Sequence, residues 1–512
     1  MVPLLSSSSD QTGYDPLTDH DMLGRLYDAF HGPDLLAKRA YRSQMLQYLP
    51  TDKLKDLAGR IGVDTDLPHP VLSEKVAGIN WANNQDTAKF LSFFGYPREY
   101  IPDEFVSVAT VEEVVPYGAP LKVLKDYQVS VFFRAASLLE HPCARLMIQM
   151  PTGSGKTRTA MEIVASYLNA GNKVVLWLAN KEELCDQAAT AFAEVWRHVG
   201  QHPVSLVRCW NEHTPTLPPE SPAMIVAGFP KAYSMHKNGA QSPKASLVVI
   251  DEAHMAIAPT YSAVVKWAKD LSARVVGLSA TPGRTVDTEL LVDFFHGEII
   301  GIEEGDQSAL EFLQGHGILA NVELEPINTH LSFTLTQGEW ESLSTKFDYP
   351  KAFLERVAID QQRNRIIAEK LSELAENTSK ALVFACSLQQ SHLLCALMIC
   401  RGIPAAHIDG NTSHETRRAA IAKFRRGEIR FLFNYEVLST GFDVPGIDAV
   451  VVARPTLSRV LYQQMVGRGL RGPAVGGTES VRVISVVDNI INAGTFEDAY
   501  ECFADEWCHP QY

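Results

Sequence analysis

The chain has 512 residues, of which 46% are hydrophobic and 21% charged, and its formal net charge is −14. That length exceeds one ordinary core and points to two to four domains of roughly 100–200 residues each, while the composition is that of a soluble globular protein. The acidic balance excludes a nucleic-acid binder that works by bulk attraction, but not one that grips a phosphate backbone in a local groove.

No apolar run approaches the roughly 20 residues that span a bilayer, and "MVPLLSSSSDQTGYD" has neither the basic start nor the apolar core of a secretory signal, so a cytoplasmic protein with no membrane contact is expected. The eight cysteines are scattered without a C-x-x-C pair. Free thiols are expected. Cys502, Cys508 and His509 lack a fourth zinc ligand at sensible spacing.

Taken in chain order, residues 1–112 read as a small, mainly helical accessory domain with a Ser-rich, disordered start. "LLAKRAYRSQMLQYLPTDKLKDLAGRIGV" has helical spacing broken at Pro50, and "DTAKFLSFFGYP" stops at Gly95–Tyr96–Pro97. Acidic residues outnumber basic ones there, so the segment is no obvious basic clamp; it is expected to be a nucleic-acid- or protein-docking element or a plain packing domain. Residues 113–304 carry the apolar runs "ARLMIQM", "KVVLWLA", "AMIVAG", "SLVVI" and "ARVVGLS" with helical stretches between them. Unbroken β-branched runs of this kind fit strands of a parallel sheet buried on both faces. Residues 305–360 show no clear period followed by a charged helical stretch, and are expected to be a linker or hinge. Residues 361–512 repeat the α/β pattern with "KALVFACS", "AAHID", "IRFLFN", "DAVVVARP" and "VRVISVVD". The expected fold class is therefore α/β, two tandem parallel-sheet domains with a helical N-terminal accessory domain.

The strand "RLMIQM" runs into Thr152, Gly153, Ser154, Gly155, Lys156 and Thr157, and "RTAMEIVASYL" continues as a helix. Glycines turn backbone N–H groups toward phosphates and the helix N-terminus adds its positive dipole end. Lys156 suits β/γ-phosphate oxygens, and Thr157 suits Mg²⁺. The first glycine of the full phosphate-loop pattern is replaced by Met150. About a hundred residues on, "SLVVI" ends in Asp251–Glu252–Ala253–His254. Carboxylates at the end of a parallel strand stand in the crevice where such sheets bind ligands. Asp251 is a metal-holding carboxylate, and Glu252 the group to orient and deprotonate an attacking water.

With "LSATP" after the next strand, the order TGSGKT, DEAH, SATP resembles the first motor domain of a superfamily-2 helicase of the DEAH-box type, and the second half resembles its RecA-like partner domain. The local variants "GLSATPGR" and "MVGRGLRG" are most similar to bacterial DNA-repair helicases and restriction-enzyme motor subunits. The resemblance implies ATP and Mg²⁺ as nucleotide and metal. In "YQQMVGRGLRG" it implies catalytic roles for Gln464, Arg468 and Arg471, the arginines acting as fingers; their i, i+4, i+7 spacing is expected to put them on one helical face, with Leu461 and Met465 pointing elsewhere. It further implies that Gln128 meets adenine, that Gly441 and Asp443 lie by the nucleotide, and that Ser439 and Thr440 touch a nucleic-acid backbone. Asn180 and Lys181 occupy the place of another backbone-contacting motif, where Pro–Thr is commoner. His254, Ser279 and Thr281 are implied to couple nucleotide to motion.

The expected function is an ATP-dependent DNA helicase or translocase without sequence readout, in repair or in defence against foreign DNA. Two alternatives stand beside it. One is the same motor on RNA; the other is a nucleotide-switched scaffold subunit of a larger complex.

Overall fold

A computed structural model describes residues 19–102, 109–118, 120, 123–171, 174–211, 213, 222–237, 245–253, 272–280, 294–295, 297–303, 307–346, 348–435 and 444–491. The described residues open with six α-helices: α1 (His20–His31), α2 (Pro33–Ala37), α3 (Arg39–Gln47), α4 (Thr51–Arg60), α5 (His69–Ala77) and α6 (Gln85–Phe93). Asp19 starts α1 by accepting from the N–H groups of Asp21 and Met22. Pro50, where the sequence pattern breaks, is the N-cap of α4. Buried Arg42 closes helix ends, donating to the carbonyls of Leu36 (2.6 Å), Ala37 (2.9 Å) and Ala77 (2.7 Å), which otherwise lack intrahelical partners.

Strand β1 (Val111–Val114) then joins the first sheet, antiparallel to β4 (Val204–Cys209). The expected boundary at 112 thus falls inside a strand. The other strands of this sheet are β2 (Arg145–Gln149), β3 (Val174–Ala179), β5 (Ala223–Gly228), β6 (Leu247–Ile250), β7 (Arg274–Ser279) and β8 (Ile299–Ile300), in the order β1-β4-β5-β3-β6-β7-β2-β8. Every pairing except that of β1 is parallel. Crossovers include α7 (Asp126–Leu138), α8 (Lys156–Asn169), α9 (Glu182–Val199) and α10 (Phe229–Lys237). In β3, Val175, Trp177 and Ala179 enter one apolar cluster while Leu176 and Leu178 enter another. Such an unbroken run has two buried faces because side chains alternate across the strand.

Beyond α11 (Ala309–Gly315), the expected linker is corrected. Residues Asn321–Thr334 form β9, a 14-residue edge strand of the second sheet, paired in parallel with β14 (Ser480–Ile491). Two helices follow, α12 (Gln337–Lys346) and α13 (Lys351–Ala358), and then α14 (Gln361–Asn377), whose Asp360 N-cap accepts from the Arg363 N–H at 2.7 Å. The rest of the domain comprises β10 (Ala381–Phe384), α15 (Leu388–Cys400), β11 (Ala405–Ile408), α16 (His414–Arg426), β12 (Phe431–Asn434), β13 (Ala449–Val452) and α17 (Arg459–Val466). The sheet order is β11-β12-β10-β13-β14-β9, all parallel.

One apolar cluster runs through both halves, joining Ile148 and Trp177 of the first sheet to Leu382, Val450 and Val483 of the second by way of Leu313, Ile318 and Leu319. The accessory helices belong with the second half. Their core of Leu46, Leu57, Leu72 and Phe90 includes Ala419 of α16, and Met22 and Ala29 of α1 pack among β10, β12 and α15.

Candidate functional site

At the end of β2, the Met150 N–H donates to the Ser279 carbonyl at the end of β7 (3.1 Å), tying the phosphate loop to the expected coupling residue Ser279. Gly153 and Gly155 take φ of 88° and 87°, a region open to glycine at no steric cost. The Ser154 hydroxyl donates to the Pro151 carbonyl at 2.7 Å. Helix α8 begins at Lys156 with Gly155 as its N-cap and no side-chain cap. Its first-turn N–H groups and its positive dipole end are suited to an anion.

Two side chains hold this loop from α7. The Tyr127 hydroxyl donates to the Ser154 carbonyl at 2.7 Å, and Gln128 Nε2 donates to the same oxygen at 3.1 Å. Gln128 Oε1 accepts from the Lys125 N–H at 2.9 Å. Gln128, implied above to read adenine, is therefore buried with both ends of its amide engaged, and a Cβ on Gly155 would stand 2.2 Å from its Nε2. Tyr127 was not foreseen as a site residue; a lone tyrosine before a glutamine carries no sequence signal of its own.

Asp251 directly follows β6, its N–H donating to the Leu178 carbonyl of β3 (2.9 Å). It is 6% exposed, and burial pushes its carboxyl up to about 6, with the Glu252 charge adding to the rise and Lys156 opposing it. Its Oδ1 accepts from the Glu252 N–H at 3.0 Å. Glu252 has φ of 54°, a conformation rare outside glycine and concentrated at functional sites. Its Oε1 lies 4.0 Å from Lys156 Nζ, with both side chains mostly buried. Backbone donors, Lys156 and two carboxylates thus come together at the ends of β2 and β6, on either side of β7, with Thr157 the second residue of α8. That donor set fits a phosphate chain with a hard divalent cation.

The arginine motif meets this loop, though not as one helical face. Helix α17 ends at Val466 with Gly467 as its C-cap, so Gln464 is helical, Arg468 lies in the turn beyond and Arg471 in an isolated bridge with Leu319. Glycine at 467 and 469 ends the helix that i, i+4, i+7 spacing would require. The turn is stitched to the start of the second half by Ala320 N–H to Leu470 carbonyl and Gly472 N–H to Ile318 carbonyl, each 2.9 Å. A Cβ on Gly467 would stand 2.4 Å from Thr152 Cγ2, and one on Gly153 would stand 3.1 Å from Leu319. The two halves touch through the phosphate loop itself. His254, Thr281, Ser439, Thr440, Gly441 and Asp443 lie outside the described residues.

Lys181 lines a second gap between the halves, a cleft of about 310 Å³, with Phe384, Asn434 and Arg454 near strand ends of the second sheet and Leu461 of α17. Asn434 donates to the Val383 carbonyl at 3.0 Å, while its Oδ1 and that of Asn180 are buried without a hydrogen-bond partner. Buried polar atoms of this kind are uncommon. Asn434 and Arg454 were not anticipated as site residues; their signal is a polar residue following a fully apolar strand. Glu183 of α9 and Arg417 of α16 also approach to 3.7 Å between the halves. The described cysteines 143, 185, 209, 386, 395 and 400 are free thiols, and no described helix is long and apolar enough to cross a membrane.

The two halves each match a known protein family. Residues 121–284 match the family described as type III restriction enzyme, res subunit, and residues 362–472 match the helicase conserved C-terminal domain. The chain is 25% identical over 375 residues to IRC3 of Saccharomyces cerevisiae, named an ATP-dependent helicase, covering 69% of this chain and 50% of that one. It is 28% identical over 325 residues to Rad25 of Haloarcula marismortui, named a DNA 3'-5' helicase, covering 63% and 47%. The chain thus spans about half the length of these relatives. Among solved structures, the ATP-dependent type ISP restriction-modification enzyme LlaBIII bound to DNA aligns with a TM-score of 0.53 at 17% identity, over 75% of this chain and 29% of that one. That likeness is one of fold.

Proposed function

This chain belongs to the superfamily-2 helicases related to restriction-enzyme motor subunits, and from that premise we propose that it is an ATP-hydrolysing motor that moves on or remodels DNA without reading its sequence. The observation that carries the reading is the meeting of Gly467 with Thr152, which sets the arginine motif against the phosphate loop. Lys156 and the N–H groups of α8 would hold the triphosphate. Mg²⁺, held by Thr157 and Asp251, would neutralise charge on the phosphates. Glu252 takes a proton from water as its oxygen bonds to the γ-phosphorus and the bond to the β–γ bridging oxygen breaks. Arg468 and Arg471 stabilise charge on the transferring group only while the halves are closed, which couples hydrolysis to domain motion. The cleft at Lys181, Asn434 and Arg454 suits a phosphate backbone, held by ammonium, amide and guanidinium donors with no contact to base edges.

DNA is favoured by the name of the Rad25 relative. Repair or defence against foreign DNA, a cytoplasmic setting and a protein partner for residues 1–112 belong to the same proposal. The test is steady-state ATPase of the wild type and Lys156→Ala with no nucleic acid, single-stranded DNA, forked duplex DNA and RNA, across salt. Stimulation by DNA that falls with salt and is lost in the variant supports the motor. Stimulation by RNA alone moves the substrate to RNA. A rate indifferent to all of them leaves the nucleotide-switched scaffold.

A further inference from the structure

Strand β11, at the edge of the second sheet, carries His407 and is followed at once by Asp409; α15 sets His392 against both. His407 Nε2 lies 3.0 Å and His392 Nε2 3.8 Å from Asp409 Oδ2, and the three ligand atoms lie within 4.8 Å of one another. We propose that His392, His407 and Asp409 form a binding site for a divalent transition-metal ion of the zinc class, separate from the nucleotide site.

Three observations support it. Two imidazole nitrogens and one carboxylate oxygen make a donor set suited to zinc rather than magnesium, which takes oxygen ligands. A tetrahedral ion with bonds of about 2.0–2.1 Å needs its ligands about 3.3 Å apart, so separations of 3.0 and 3.8 Å from Asp409 Oδ2 close with small side-chain rotations. Each buried ligand is oriented from behind. Ser391 Oγ lies 2.7 Å from His407 Nδ1, while Asp409 Oδ1 accepts from the Asn411 N–H at 2.6 Å and from the Thr412 hydroxyl at 3.2 Å, which turns Oδ2 toward the imidazoles. Outer contacts of this kind fix the ring and the carboxylate for a metal.

The site has a structural consequence. The two imidazoles stand edge to face with centroids 4.2 Å apart, and Phe30 of accessory helix α1 packs over them, 5.1 Å from His392 and 6.4 Å from His407. An ion here would lock α15 to β11 beneath that helix. Three protein ligands leave a coordination position for solvent.

The test uses the full chain stripped with chelator, titrated with Co²⁺ in excess Mg²⁺ and read by visible absorption, with Zn²⁺ as competitor. The expected result is the intense spectrum of four-coordinate Co²⁺ without a sulfur charge-transfer band, abolished by Zn²⁺. His392→Ala, at a partly exposed position, and Asp409→Asn should weaken binding by at least about tenfold, and Ser391→Ala by about 10–100-fold. The metal-free melting temperature of His392→Ala shows that its fold is intact. An unchanged Co²⁺ affinity in His392→Ala and Asp409→Asn, or a weak spectrum displaced by Mg²⁺, overturns the site.

Discussion

At the residue scale, Asp251 is the group whose function and stability oppose each other. An unfolded carboxyl titrates near 3.9, and burial lifts the folded one to about 6. Between those values the folded chain binds more protons than the unfolded chain, so the contribution of Asp251 to stability falls as pH rises through this window and stays unfavourable above it. Asp251→Asn should therefore raise stability by about 1–2 kcal/mol near pH 8, by urea denaturation, with a smaller gain near pH 4, while ATPase is lost. A gain that grows on acidification would contradict the burial argument. Glu252→Gln should keep nucleotide affinity and lower the hydrolysis rate by about 10²–10⁴, measured by fluorescent-nucleotide binding beside turnover. The identities of these residues were legible as a phosphate loop and an acidic pair. What was not legible is how Tyr127 and Gln128 brace the Ser154 carbonyl, because that contact depends on where α7 crosses β2.

At the scale of elements, the turn after α17 is the sensitive joint. Gly467→Ala would bring a methyl group to 2.4 Å from Thr152 Cγ2 and 2.7 Å from the Gln463 carbonyl. It should hold the halves apart and lower ATPase by about 10²-fold, the effect of roughly 1 Å of misplacement, while binding of ADP, measured by calorimetry, is kept. A second joint lies between α14 and β14, where Arg363 Nε meets Asp488 at 2.9 Å with neither side chain exposed, and Arg363 Nη2 donates to the Ala453 carbonyl at 2.7 Å. Removing one member strands a buried charge, so Arg363→Ala should cost about 3–5 kcal/mol in denaturant unfolding. A simultaneous Asp488→Ala should recover part of that loss. The apolar runs of β2, β3, β5, β6, β7, β10, β12 and β13 could be read from sequence because each is buried on both faces. Strand β9 could not. It is an edge strand with Glu323, Glu325, Pro326 and Asn328 in its span and only partial burial, and its partner β14 lies some 150 residues on.

At the scale of the whole molecule, the accessory helices ride on the second half although they precede the first. Lys423 Nζ meets Asp28 at 2.7 Å and Tyr100 at 2.9 Å, Arg418 donates to the Glu99 and Ile101 carbonyls, and Arg426 pairs with Glu99. Asp34 accepts from the Ser413 hydroxyl at 2.5 Å. A chain lacking residues 1–101 should accordingly melt earlier and expose the apolar surface around Ala419, seen as increased dye binding. Arg418→Ala, with two backbone carbonyls losing their donor, should lower stability by about 1–3 kcal/mol. Unchanged melting in both would separate the accessory helices from the motor.

The sequence by itself determined the chemistry and the class of fold. A glycine loop before a helix, carboxylates after a strand and doubled apolar runs are local patterns whose physics is complete within a few residues. Only the tertiary structure decided which half carries the accessory domain, that 321–334 is sheet rather than linker, that the arginine motif is a turn pressed on Thr152, and that His392, His407 and Asp409 share one place. Those outcomes rest on contacts between residues far apart in the chain, set by packing of whole faces, and no local period encodes them.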